Sequence, residues 1–216
     1  MKYELTLASV PRRFRVVSLI LIVMLFSGCV EFFQYVGQDE HGRLITSFSV
    51  RIQKLIFAMA AGLSGEETPD FGEILGIDEE EMVRMYSNGS EIQYEIIDTE
   101  LEFGFRISLT LDADSQTVFG DVPFLPNLSE GMTTITLGGS GSADGQDGMA
   151  IAFLSSSKYR LLISKAYVPS ISSAWYEVDG RSIPVEYRDY QSVYFIEFPI
   201  VYMLASGEDG KLRIEH

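Results

Sequence analysis

Between residues 102 and 111 apolar and polar side chains alternate without a break. Phe103, Phe105, Ile107, Leu109 and Leu111 are interleaved with Glu102, Gly104, Arg106, Ser108 and Thr110. Successive side chains of a strand point to opposite faces, so this strict period of two demands a strand with one face buried. A helix, with its period of 3.6, would scatter the five apolar residues around its circumference. The chain must therefore build a sheet and cover one side of it. Ile92, Tyr94 and Ile96 repeat the pattern just upstream.

Other segments extend this reading. EFFQYVG at 31–37 and RLITSFSV at 43–50 read as strands flanking the turn QDEHG at 38–42, a first hairpin. Phe48, Ile52, Leu55, Ile56, Met59 and Leu63 fall at helical spacings and predict a helix over 51–62, ended by Gly62. A second helix is predicted from Asp78, which with Glu81 has the spacing of a capping box, to Asn88 and Gly89. Carboxylates favour a first helical turn, which accounts locally for the acidic run Asp78–Glu81. Residues 112–131 read as an irregular connection with a short strand near 117–119, followed by a strand at Thr133, Ile135 and Leu137.

The segment 138–148, GGSGSADGQDG, reads as a flexible Gly/Ser/Asp loop. Strands are then expected at 149–154, 159–165, 173–178, 182–187 and 192–204, with a terminal KLRIEH. Asp179-Gly180 is a tight-turn pair, and Pro199 marks a bend or a sheet edge. Helices early and many strands later predict an α+β domain: a mostly antiparallel sheet with one or two packed helices.

The sequence has 216 residues and a net charge of -15. Residues 1–28 hold four basic side chains and one acidic one, so residues 29–216 carry 12 basic and 30 acidic side chains. A domain this acidic is repelled by nucleic acid, which is not an expected partner. The single cysteine, Cys29, rules out an intrachain disulfide, so residues 29–216 are expected to fold as one domain by packing alone.

The first 15 residues end in the basic cluster Arg12, Arg13 and Arg15. The eleven residues VVSLILIVMLF follow at 16–26, then the small residues Ser27 and Gly28 before Cys29. A basic region, an apolar core and a small-residue cleavage zone in that order describe a secretion signal. Eleven helical residues span about 16 Å, short of the roughly 30 Å hydrocarbon core that a retained membrane anchor would need to cross.

LFSGC at 25–29 resembles the lipobox of bacterial lipoproteins, with Phe26 where that class usually has an aliphatic residue. The resemblance implies that residues 1–28 are a lipoprotein signal peptide and that Cys29 is the lipidation site. It also implies that Cys29 becomes the mature N-terminus and carries fatty acyl chains of the palmitate type. The domain would then be held at a membrane of the bacterial cell envelope. Val30 does not supply the Asp sorting signal known in some lipoproteins, which leans the placement toward the outer membrane.

Reactive constellations are sparse. His41 falls in a predicted turn and His216 is the last residue, and there is no second cysteine and no HExxH pair. No GxSxG elbow, Walker motif or GxGxxG before a helix occurs. Asp144 and Asp147, and likewise Asp112 and Asp114, lack the ordered ligand spacing of a calcium loop. No catalytic residue, metal ligand or cofactor is therefore assigned. Trp175, Tyr176, Tyr187, Tyr190, Tyr194 and Phe195 form an aromatic group whose alternation suggests a mixture of core and surface positions.

The resulting expectation is a lipid-anchored, non-enzymatic interaction or binding module whose partner is an envelope protein or a small ligand. Two alternatives carry structural signatures. A carrier of a small apolar ligand needs a deep, closed apolar pocket. A carboxylate-based hydrolase of cell-wall sugars needs two carboxylates facing one another across a cleft.

Overall fold

The expected alternation is realised along the strand Glu102–Leu111, where Phe105, Ile107, Leu109 and Leu111 are buried. The computed structural model describes residues 30–55, 90–111, 124–137, 157–204 and 210–216. These residues form twelve strands. They are β1 (Val30–Gln38), β2 (Leu44–Gln53), β3 (Ser90–Asp98), β4 (Glu102–Leu111), β5 (Pro126–Ser129) and β6 (Met132–Leu137). There follow β7 (Lys158–Ser164), β8 (Ser173–Val178), β9 (Arg181–Pro184), β10 (Tyr187–Asp189), β11 (Val193–Pro199) and β12 (Gly210–Glu215).

The strands make two sheets. The larger has the order β10-β11-β7-β1-β2-β4-β3, and the smaller β5-β6-β12-β8-β9. Every pairing is antiparallel except β1 with β7, where Glu31 lies beside Lys158 and Val36 beside Ile163. The first strand is thus central in its sheet, flanked by its hairpin partner and by a strand more than 120 residues downstream.

The expected α+β class is overturned by the described residues, which are almost entirely strand. Their helical content is essentially one turn, α1 (Val201–Leu204), too short to cover a sheet. Arg51, Ile52 and Gln53, expected to begin a helix, are the last residues of β2 and pair with Gly104, Phe103 and Glu102. Ile52 shares a face with Phe48 in a strand as it would in a helix, because four residues is a multiple of the strand period and close to one helical turn. The remainder of that expected helix and all of the second one lie outside the described residues. So do the Gly/Ser/Asp loop at 138–148 and the strands expected at 117–119 and 149–154.

What covers the apolar face of the larger sheet is the smaller sheet. Phe198 on β11 packs between Tyr159 on β7, at 5.2 Å between ring centroids, and Tyr176 on β8, at 5.3 Å. Leu161, Ile163 and Ile196 from one sheet and Ile135, Leu212 and Ile214 from the other join one apolar cluster with no solvent exposure. Complete burial of such side chains contributes about 1.5–3 kcal/mol each.

A polar knot crosses this interior. Gln34 of β1 is fully buried, and its Oε1 accepts a hydrogen bond from Tyr159 Oη. Its Nε2 donates to Thr46 Oγ1 at 3.3 Å and to the carbonyl of Phe124 at 2.6 Å. Phe124 leads into β5 with φ of 63°, a left-handed conformation uncommon for a bulky residue. Three contacts hold it there. Its N–H donates to Thr136 O at 2.8 Å, its carbonyl accepts from Gln34, and its ring stacks on Phe48 at 4.0 Å. The same residue joins the two sheets through backbone and side chain.

Local turn chemistry agrees with the sequence in two places. The β1–β2 turn is closed by Asp39, whose carboxylate accepts from the N–H groups of His41 and Arg43. Asp179 and Gly180 both have positive φ, 48° and 69°, as a two-residue type I′ hairpin between β8 and β9 requires. The segment 182–187 departs from expectation. It is not one strand: β9 stops at Pro184 in the smaller sheet and β10 begins at Tyr187 in the larger one. Pro199 ends β11, and α1 follows. A short strand, β5, lies in the stretch expected to be irregular, with Pro126 as its first residue at the sheet edge.

Candidate functional site

The outer face of the larger sheet, away from the core, carries the parity opposite to the apolar residues. On β1 these positions are Glu31, Phe33 and Tyr35; on β2, Ser47, Ser49 and Arg51; on β4, Arg106 and Ser108. Register brings them together: Phe33 lies opposite Ser49, Tyr35 opposite Ser47, and Ser49 opposite Arg106. Ser47 and Ser49 are short, while their neighbours on both sides are long. The result is an open depression of about 520 Å³ lined by Glu31, Phe33, Tyr35, Ser47, Ser49, Arg51 and Arg106. Ligand sites commonly occupy about 300–1,000 Å³.

Glycines shape the site from below. A Cβ on Gly37 would lie 2.8 Å from Tyr35 Cζ, so Tyr35 leans along β1 over a position that only glycine leaves clear. A Cβ on Gly104 would run into the Val50 carbonyl, so glycine lets β4 approach β2 closely beside Arg51.

Charge is organised around this depression. Glu197 on β11 accepts from Lys158 Nζ at 2.6 Å and from Arg160 Nε at 2.9 Å. Arg160 also pairs with Glu31 on the next strand. Arg51 lies 3.8 Å from Glu102, and Arg106 donates to Glu95 at 2.9 Å. Ion pairs thus line the outer face in separate groups, one joining β11, β7 and β1 and others joining β2 to β4 and β4 to β3. Partial burial works to raise the Glu197 carboxyl, but the hydrogen bonds and charges of Lys158 and Arg160 outweigh it and hold the group below the usual carboxylate range. The hydrogen bond to Glu197, reinforced by the Glu31 and Glu197 charges, raises Arg160 despite desolvation.

Chemically, the depression offers guanidinium and hydroxyl groups beside two aromatic faces. That set can hold a polar ligand by hydrogen bonds while its apolar portions lie on Phe33 and Tyr35. Glu31, the carboxylate that lines it, is held by Arg160 together with Glu197. The interior is different in kind: the void lined by Thr46, Phe48, Ile107, Leu109, Phe124 and Leu125 measures about 10 Å³, about the space of a single water-sized probe.

The positions singled out in the sequence fall elsewhere. Cys29 and the segment 1–28 lie outside the described residues, as do Asp112, Asp114, Asp144 and Asp147. Among the described residues no helix is long and apolar enough to cross a membrane. His41 is exposed in the β1–β2 turn, 3.8 Å from Asp39. His216 is pinned at the other extreme of the chain, its Nε2 3.2 Å from Thr133 Oγ1 and its N–H on the Gly131 carbonyl.

The aromatic group is dispersed. Tyr176 and Tyr194 are core residues, Trp175 and Phe195 are half-buried on different sheets, and Tyr190 is exposed in the β10–β11 turn. Phe33, Tyr35, Arg51 and Arg106 were not singled out by sequence. The available signal was parity: on β1, Phe33 and Tyr35 share a face with Glu31 rather than with Val36. No protein-family model, curated protein or solved structure matches the chain at a significant level.

Proposed function

We propose that this chain is a lipid-anchored, non-enzymatic binding module of the bacterial cell envelope. It would be held through Cys29 and would receive a polar envelope component in the depression on the larger sheet. The observation that carries this reading is the outer-face depression of about 520 Å³, beside which the interior void at Phe48, among the described residues, measures only about 10 Å³. The depression lies on the polar face, where the guanidinium groups of Arg51 and Arg106 retain donors beyond those engaged by Glu102 and Glu95. The lipobox-like LFSGC supports the anchoring part: it ends at Cys29, which directly precedes Val30 of β1.

Two measurements test the two parts. Mass spectrometry of the membrane fraction is expected to find Cys29 as an acylated N-terminus, and an unlipidated chain beginning at Met1 defeats the anchor. A photo-crosslinking residue in place of Ser49, in living cells, is expected to give one discrete adduct that Arg106→Ala abolishes. An adduct pattern indifferent to Arg106→Ala defeats the binding face.

A further inference from the structure

The position of the lipid anchor relative to the sandwich is unusually constrained. Val30 is already part of the central strand: it pairs with Ile52, and its N–H donates to Ser157 Oγ at 3.1 Å. One peptide bond places the Cα of Cys29 about 3.8 Å from that of Val30. A lipid on Cys29 would therefore be rooted at the very end of the larger sheet, with no flexible spacer between acyl chains and fold.

That same end is tipped by apolar side chains exposed to solvent. The β3–β4 turn projects Leu101, which is 75% exposed, and Leu55, 48% exposed, lies two residues beyond the end of β2. The Lys54 N–H donates to the Leu101 carbonyl at 2.9 Å, which ties the two segments side by side. Ile96, 59% exposed, lies on the edge strand two residues from its end. Three of the five large apolar side chains exposed among the described residues thus gather at one end of one sheet. By strand spacing this tip lies about 10 Å to the side of Val30, within reach of the membrane patch beneath a tether at Cys29.

The charges nearby do not favour an anionic partner. Lys54 is paired with Asp98, and Glu100 beside Leu101 is exposed. Contact would come from apolar area rather than from attraction to acidic lipids.

We infer that the end of the sandwich formed by Val30, Leu55, Ile96 and Leu101 faces the membrane, with Leu101 seated at the boundary between headgroups and acyl chains of a zwitterionic lipid surface. The inference rests on the anchoring at Cys29 proposed above. It sets the strands steeply to the bilayer and leaves the outer-face depression open to the side.

The only tryptophan, Trp175, can be replaced by Phe and a new one introduced as a depth probe. The acylated full chain is purified with Leu101→Trp, with Leu55→Trp, or with Tyr190→Trp in the turn at the opposite end of the sheet. Each is placed in phosphatidylcholine vesicles carrying brominated acyl chains. Emission from positions 101 and 55 is expected to be quenched at least about twofold more than from position 190, since interfacial insertion reaches about 5–10 Å into the boundary. Equal quenching at the two ends overturns the inference. So does emission from position 101 that is shielded without bromine quenching and varies with protein concentration, which marks a second copy of the chain as the occupant. An unacylated Cys29 in the mass spectrum removes the anchor itself and is distinguishable from either result.

Discussion

The two faces of the larger sheet are made by the same strands and do opposite work. On the inner face Val36, Leu44, Ile107, Leu161 and Ile196 are closed against the smaller sheet, and the buried amide side chain of Gln34 has partners for both its oxygen and its nitrogen. On the outer face the equivalent positions carry ion pairs, hydroxyls and two half-buried aromatics around an open hollow. The difference teaches that the packed core and the candidate site are separated by parity along a strand. A change of one residue in position moves a side chain from one role to the other.

The comparison breaks first at Phe198, which is 3% exposed between Tyr159 and Tyr176. Phe198→Ala is expected to destabilise the fold by about 3–5 kcal/mol in urea titration, because the two sheets cannot close the cavity. A loss as small as that of a surface substitution would mean the sheets are not joined through this ring.

Gln34→Leu is expected to cost about 2–3 kcal/mol. It keeps approximate volume but strands the Tyr159 hydroxyl and the Phe124 carbonyl in the interior. Adding Tyr159→Phe to it should recover part of the loss, a double-mutant cycle that sharpens the role of the knot. Independent, additive effects would count against it.

On the outer face Arg106→Ala and Tyr35→Ala are expected to shift stability by less than about 1 kcal/mol, since the Arg106–Glu95 pair is exposed. The same substitutions should abolish adducts formed at Ser49 in cells. Large losses of stability with unchanged adducts would reverse the assignment of roles to the two faces.

The smallest effect is one of pH. Glu197 has a lowered pKa in the folded state, so its contribution is present above the pKa of the unfolded chain and is lost as pH falls through the folded value. Because the pair is partly exposed, this contribution is expected to stay under about 1 kcal/mol. Thermal melts from neutral pH into the acid range should therefore fall less steeply for Glu197→Gln than for the parent chain. Parallel profiles would show that Lys158 and Arg160 do not stabilise the ionised carboxylate.

The strands and hairpins were legible wherever one face is buried. The alternation at 103–111 and at 92–96, the β1–β2 hairpin, the segment 173–178 and the Asp179-Gly180 turn all read correctly, because pleat and turn are decided within a few residues. The expected helix at 51–62 was misread at its start. Phe48 and Ile52 are four apart, a spacing shared by one helical turn and two strand steps, and only pairing with β4 decides between them. The split of 182–187 between two sheets was also hidden, since Pro184 and Tyr187 form strands that belong to different partners. The candidate site was not legible as a site: its aromatics and arginines come from three strands, and each looks in sequence like an ordinary polar-face residue.

By itself the sequence determined where the described parts of this chain alternate, turn and bury one face. Tertiary structure alone decided that β1 is central, that it lies parallel to β7, that a second sheet rather than helices covers the core, and that a hollow opens on the polar face. The reason is the range over which each is set. Alternation and turn geometry depend on neighbours along the chain, whereas register depends on pairings such as Arg160 with Glu31, 129 residues apart, whose partners only the assembled sheet selects.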